Sequence, residues 1–402
     1  MPFSKLVDMV RAVPRGVPLV GLGHLVTDLS QGALLVALPY FKTKFGLSYA
    51  EVSAIALMQN LTSSVIQPVF GYWSDRNPRP WLMAAGCALS GMSMLASFLV
   101  NSYWLLLVCT ALTGLGIAAF HPEGAKTVNR LSGAAKGKAV SMFVVGGNAG
   151  FALGSLFMGF LLAESLMNYV GVYVIPCIIT GFLLYRLVAT LPPPEVKKAA
   201  SLGSLKGMVT VSLAALLGVV LMRATVSSGI STFIPLYYVS YLQGDAMYAG
   251  SLLTVFLAAG AAGTLAGGLL SDKYGSKKVM LWSIVPVSVL LTVFNMVPGA
   301  GVFVILGITS ACLSAAFASS LVLTQRMMPG NVGMASGLTL GFSVGLGAMG
   351  VLLLGRIADI WSLPVVFDIL ACLPIIAFGL TLLISDDMAG LKLAVAEDSS
   401  GT

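Results

Sequence analysis

Five ionisable side chains stand inside apolar runs, where water to solvate them is scarce. His24 and Asp28 are four residues apart in GHLVTDLSQG (23–32), and on a helix that spacing puts them on one face. A carboxyl beside an imidazole in a low-dielectric surround can take up and release protons, and such a pair titrates as one unit. Arg223 lies in another apolar run. It is charged at any working pH, and its planar fork suits an organic carboxylate or phosphonate. His121 and Glu123 flank Pro122 in FHPEGAK (120–126). Two residues apart on a helix, they point in different directions, which suits a gate and a proton exit better than one paired site. Structural readings stand beside each: a helix-packing hydrogen bond for Asp28 or His24, a salt bridge to Asp28 or Glu123 for Arg223, and a polar anchor at the membrane surface for His121 and Glu123. No Ser or Cys is spaced to complete a nucleophile–base arrangement, and two histidines without a close ligand cluster argue against a structural metal site. The expectation is a protein that is not an enzyme, with no cofactor beyond protons as a coupling ion.

The elements that must position these residues are helices in a bilayer. Of 402 residues, 57% are hydrophobic and only 9% charged, against about 25% charged in a soluble domain. A span needs about 20 apolar residues, and that ruler finds spans starting near 17, 50, 81, 104, 139, 168, 209, 248, 279, 301, 334 and 363. With the N-terminus inside, seventeen Lys and Arg fall in inside segments and only Lys42 and Lys44 outside. This asymmetry predicts cytoplasmic termini. The net charge of +7 is spread along short loops, so nucleic acid is not an expected partner. All five cysteines lie in apolar stretches and read as small buried hydrophobes. No cleavable signal peptide is evident. The stretch LPPPEVKKAASLGSLKGM (191–208) reads as a linker. It divides the chain into a six-helix lobe over 1–190, a second over 209–385 and a tail over 386–402.

The two lobes resemble each other. GYWSDRNPRP (71–80) matches GLLSDKYGSKK (268–278), pairing Gly71 with Gly268 and Asp75 with Asp272. ALPYF (37–41) matches FIPLY (233–237). A six-plus-six duplication places a substrate site between the lobes near the midplane. The loop G-x-x-x-D-[RK]-x-G-[RK]-[RK], present at Gly268, Asp272, Lys273, Gly275, Lys277 and Lys278 and in altered form at Gly71, Asp75, Arg76 and Arg79, resembles the signature of the major facilitator superfamily. GHLVTDLSQGALLVALPYF, QPVFGYWSDRNPRPW, FHPEGAK and VGGNAGFALG look like its fosmidomycin-resistance efflux branch.

That resemblance implies an all-α fold of twelve helices. It implies a proton-driven exporter of small organic anions or drugs, working by alternating access as a monomer in the bacterial inner membrane. A proton symporter or facilitator importing a metabolite stays open as the alternative. In this superfamily helices 1, 4, 7 and 10 line the central cavity, and the five charged residues fall on three of them. Asp28, His24, Glu123 and His121 are then candidates for proton coupling, and Arg223, His24, Asp28, Asn148 and Gln59 for substrate binding. Gly71, Asp75, Arg76, Gly268, Asp272 and Lys273 are candidates for gating. Gly146, Gly150 and Gly154 recur every four residues in span 5 and predict close helix approach. They look like the superfamily's antiporter motif, with Ser155 where proline usually follows. Thr110 stands where the span-4 motif has Arg. Arg356 and Asp359, at i and i+3 in span 11, read as a structural pair.

Overall fold

The computed structural model describes residues 14, 16–76, 79–133, 136–192, 211–297, 299–328, 339 and 343–384. All the regular structure among them is helical. The first half comprises α1 (Gly16–Phe45), α2 (Tyr49–Asn60), α3 (Gln67–Arg76), α4 (Trp81–Leu99), α5 (Tyr103–Leu131), α6 (Lys136–Ala163) and α7 (Val174–Ala189). The second comprises α8 (Val211–Pro235), α9 (Ala246–Tyr274), α10 (Ser276–Val293), α11 (Gly301–Met327), α12 (Ser343–Ile360) and α13 (Leu363–Leu382). Together α2 and α3 make one broken crossing, so among the described residues there are twelve crossings, and ten are long and apolar enough to cross a membrane, counting the 3-10 segment Met167–Tyr173 that leads into α7 and the π segment Leu236–Tyr241 that follows α8. The proposed 191–208 linker and the tail after 385 lie almost wholly outside the described residues.

The break has a local cause. Pro68 lacks an N–H and disfavours helical geometry at Gln67, so the helix widens into a π-turn over Leu61–Val65 before α3 begins. Thr62 Oγ1 donates to the Met58 and Gln59 carbonyls. Elsewhere proline is absorbed: Pro39 and Pro122 sit inside continuous helices α1 and α5.

Glycine sets how closely α1 and α6 approach. A Cβ on Gly150 would stand 2.0 Å from the Leu25 carbonyl oxygen, and one on Gly154 would stand 2.1 Å from that of Leu29. Backbone cannot yield as a side-chain tip can, so Gly150→Ala is expected to cost about 1–3 kcal/mol. Thermal unfolding of the purified protein should show a melting temperature several degrees below wild type.

Call the end carrying Arg76, Lys126, Arg130, Lys273 and Arg326 the basic end and the other the far end. At the far end Lys42 and Lys44 act as caps. Lys44 donates to the Phe98 and Val100 carbonyls at the C-terminus of α4, where a cation is favoured. The halves meet there along two seams. On one, Gly159 and Gly250 pack backbone to backbone and Thr254 donates to the Ala152 carbonyl. On the other, Gly355 of α12 packs against Tyr49, Ala50 and Ser53 of α2. One apolar core, holding Leu34, Leu38, Phe41, Ile230, Phe233 and Phe367, spans both halves at this end. Along the α6 seam Gly159, Ser155 and Ala152 are buried, but Asn148, one turn nearer the basic end, is exposed. The halves are closed at the far end and part toward the basic end along the α6 seam, while along the other seam a Cβ on Gly345 of α12 would still meet Val65 at 2.6 Å.

Arg356 and Asp359 do not pair as their spacing suggested. Arg356 is exposed, and Asp359 instead accepts hydrogen bonds from the Tyr49 and Ala50 N–H groups. Unsatisfied N–H groups at a helix start are stronger partners for a carboxylate than an Arg whose charge water already solvates.

Candidate functional site

The centre of the site is Asp28, buried on α1 midway between the ends. His24 Nε2 lies 3.2 Å from its Oδ2, one turn along the same helix. His121 Nε2, from α5, lies 3.1 Å from its Oδ1. The His24 ring stacks on Phe143 of α6 with centroids 4.0 Å apart, and the His121 ring meets it edge-on at 4.8 Å. The two imidazoles keep 13% and 19% of their side-chain surface exposed, so water reaches the cluster. Its ligand-type atoms lie within 4.8 Å of one another. The two histidines, expected from the sequence to lack a close ligand cluster, are thus brought together with Asp28; each Nε2 faces its own carboxylate oxygen, and the arrangement is a hydrogen-bond chain.

The chain dictates where protons sit. His24 Nδ1 is 2.7 Å from the Phe143 carbonyl. A carbonyl only accepts, so Nδ1 carries a hydrogen. The other nitrogen, Nε2, then faces a carboxylate oxygen, and two lone pairs do not face each other at 3.2 Å. One proton must be held between His24 and Asp28. His121 Nε2 lies 3.1 Å from the other carboxylate oxygen and its Nδ1 lies 3.4 Å from Gln67 Oε1; with the Gln67 amide turned to offer its NH2 instead, Nδ1 accepts and Nε2 donates to Asp28. With one shared proton the cluster is neutral overall; a second makes it cationic.

Gly147 makes this geometry possible. Four residues after Phe143 on α6, it has no side chain to cover that carbonyl. A Cβ there would lie 2.4 Å from His24 Nε2 and 2.9 Å from Asp28 Oδ2. Gly147→Ala is therefore expected to push the imidazole off the carboxylate and flatten the pH dependence of transport, read as rate against pH in proteoliposomes.

Arg223 projects from α8 in the other half. Its guanidinium carbon lies 4.5 Å from the centre of the Phe317 ring on α11, a cation–π contact. Its Nε is buried without a partner, and it forms no ion pair with Asp28 or Glu123 among the described residues. A buried donor left without an acceptor is a place for a ligand acceptor.

The family model for the Major Facilitator Superfamily matches residues 20–242 and 216–397. The chain belongs to the Major Facilitator Superfamily. Among its relatives, the fosmidomycin resistance protein of Escherichia coli (strain K12) is 32% identical over 378 residues, covering 92% of each chain. An uncharacterized MFS-type transporter of Bacillus subtilis (strain 168) is 30% identical over 380 residues, again 92% of each. Solved structures share the fold. A nucleoside transporter superposes with a TM-score of 0.71 at 14% identity, covering 91% of this chain and 98% of that one. A bacterial homolog of the lysosomal transporter Spinster, solved inward-facing and occupied, gives 0.70 at 14% identity over 92% and 94%. The protein is accordingly a multi-pass membrane transporter of small molecules and not an enzyme.

The remaining candidates in this superfamily member divide between the basic end and the spans. Glu123 is buried on α5 and accepts from the Ser74 hydroxyl of α3 and from Lys126, whose Nζ is 3.4 Å away. Lys126 also donates to Ser74 Oγ at 2.9 Å and to the Gly71 carbonyl at 3.4 Å. Glu123 thus ties α3 to α5 while His121 joins Asp28. Asp75 and Arg76 lie on the last turn of α3, and their side chains lie outside the described residues. In the second copy of the signature loop, Asp272 and Lys273 are exposed and a Cβ on Gly268 would meet open space. Gly275 ends α9 at φ 88°, a conformation that favours glycine. Gln59 is buried with its amide nitrogen unpartnered, and Asn148 faces the parted seam. Sequence reasoning missed the Phe143 carbonyl, Gly147, Ser74 and Phe317. Gly147 and Ser74 lie in motifs already singled out; the carbonyl and Phe317 carry no sequence signal.

Proposed function

We propose that this transporter is a proton-coupled antiporter exporting small organic anions or drugs of the fosmidomycin kind by alternating access. The observation that carries the reading is His24 set between the Phe143 carbonyl at Nδ1 and Asp28 at Nε2, a geometry that calls for a proton between His24 and Asp28, with His121 beside them for a second. Asp28, His24 and His121 hold the coupling proton. Arg223, with its open Nε in the other half, meets the anion, and Gln59 and Asn148 contribute polar groups to the path. Glu123 with Lys126 passes protons and movement toward the basic end, where Gly71, Asp75, Arg76, Gly268, Asp272 and Lys273 gate. The chain divides into lobes 1–190 and 209–385 about a cytoplasmic linker at 191–208, with a tail over 386–402. By its Lys and Arg asymmetry the basic end is cytoplasmic, in the inner membrane of a bacterium, and the protein works as a monomer. Closure at the far end makes this the inward-open state.

Importing symport has one observation in its favour, Ser155 where the antiporter motif has proline. Its hydroxyl donates to the Gly32 and Phe151 carbonyls and so fills in α6 the contact a proline would free. Proteoliposomes with a pH dye inside separate the two. Addition of fosmidomycin outside should drive protons outward if the exchange is antiport. Protons moving inward with the substrate would establish symport, and no proton movement would remove coupling altogether.

A further inference from the structure

The start of α2 poses an accounting problem that the other half of the molecule solves. A helix leaves its first N–H groups without intrahelical partners. Ser48 and Glu51 form a capping box: Glu51 Oε2 accepts from the Ser48 N–H at 2.9 Å, and Ser48 Oγ accepts from the Glu51 N–H at 3.2 Å. Two donors remain, Tyr49 N–H and Ala50 N–H. Both are taken by Asp359 of α12, at 2.6 Å to Oδ1 and 3.0 Å to Oδ2. One carboxylate fills, from across the seam, the two vacancies that the helix's own cap leaves.

The approach is built for this contact. Gly355 lies one turn before Asp359, and a Cβ there would meet Ser53 Oγ at 2.4 Å and the Tyr49 carbonyl at 2.8 Å. Lys42 donates to the Leu47 carbonyl at 2.9 Å and covers the Tyr49 ring at 4.6 Å, which holds the preceding turn. Tyr103 donates to the Glu51 carbonyl at 3.0 Å from the other side. The opposite seam, between α6 and α9, closes on glycines and the Thr254 hydroxyl, with no charged group in the contacts described above.

We infer that Asp359 is the far-end gating residue: its carboxylate holds the halves together through the N-terminus of α2 and is released to water each time the far end opens. The contact exists only in the far-end-closed state, so it sets how often the other state is visited. This uses from the proposed function only that the halves separate at the far end; it holds whether protons or substrate alone drive the cycle.

Two single-cysteine reporters in a background without the native cysteines test it. Ile234→Cys is fully buried in the far-end core, and Asn148→Cys is exposed on the parted seam. Labelling with a maleimide follows each in the full-length protein in membranes. Adding Asp359→Ala should raise the Ile234→Cys rate about tenfold or more and lower the Asn148→Cys rate, because a population shift moves the two ends in opposite senses. Asp359→Asn should fall between, and Asp359→Glu should restore much of the wild-type pattern. An Arg356→Ala control, one turn away and exposed, should change neither. If Asp359→Ala leaves both rates unchanged, or raises both together as general loosening would, the gate is overturned. Loss of proton coupling with the reciprocal shift intact would count against the transport mechanism and leave the gate standing.

Discussion

Asp28→Asn is expected to reduce gradient-driven accumulation to none while leaving substrate exchange in place. An antiporter moving one proton per substrate can sustain about tenfold accumulation for each unit of pH difference, the equivalent of about 1.36 kcal/mol. In a two-unit gradient the wild type should therefore concentrate substrate in the acidic compartment by up to about 100-fold. Asn keeps the shape and one acceptor but cannot share a proton with His24 Nε2, so its ratio should settle at one. Exchange at equal pH needs no net proton transfer and should survive. Proteoliposomes with labelled substrate and an imposed gradient give both numbers. A variant that still accumulates substrate would make Asp28 structural and shift the coupling site to His121 and Glu123.

Arg223→Ala is expected to weaken substrate binding by about 2–5 kcal/mol, the usual cost of truncating one partner of a buried charged hydrogen bond. That is about 30-fold to several thousandfold in apparent affinity. Lys at the position restores charge but not the fork and should recover only part of the loss. Phe317→Leu removes the aromatic face under the guanidinium and should cost less, about 0.5–2 kcal/mol. The concentration dependence of exchange measures all three. If Arg223→Ala leaves KM unchanged for anionic substrates, the anion is bound elsewhere and Arg223 serves packing. The two expected results together would assign one role to each half: proton on the first, substrate charge on the second.

These roles turn on contacts that differ in how far they can be seen in a linear chain. His24 and Asp28 are four residues apart, and helix periodicity alone places them together. His121 is 93 residues from Asp28, and nothing in FHPEGAK says that its ring turns inward while Glu123 turns to Ser74 and Lys126. Asn148 read as a helix-packing residue or a substrate contact from its glycine-rich setting. Its exposure follows from the state of the seam, which is a property of both halves at once.

By itself the sequence determined what the bilayer demands and what short-range geometry enforces. Scarcity of charge required lipid-facing helices, the Lys and Arg asymmetry pointed to their orientation, and the duplicated loop marked the superfamily. Unsolvated charge in apolar runs pointed to the residues worth examining. The tertiary structure decided partners. Helix rotation and tilt are set by packing against all neighbours, so Asp359 met the start of α2, 310 residues from Tyr49, instead of Arg356 three residues away. The Phe143 carbonyl that fixes the His24 tautomer is a backbone atom that every residue possesses. It acts because Gly147 uncovers it and α1 passes within reach, and only the assembled fold brings that about.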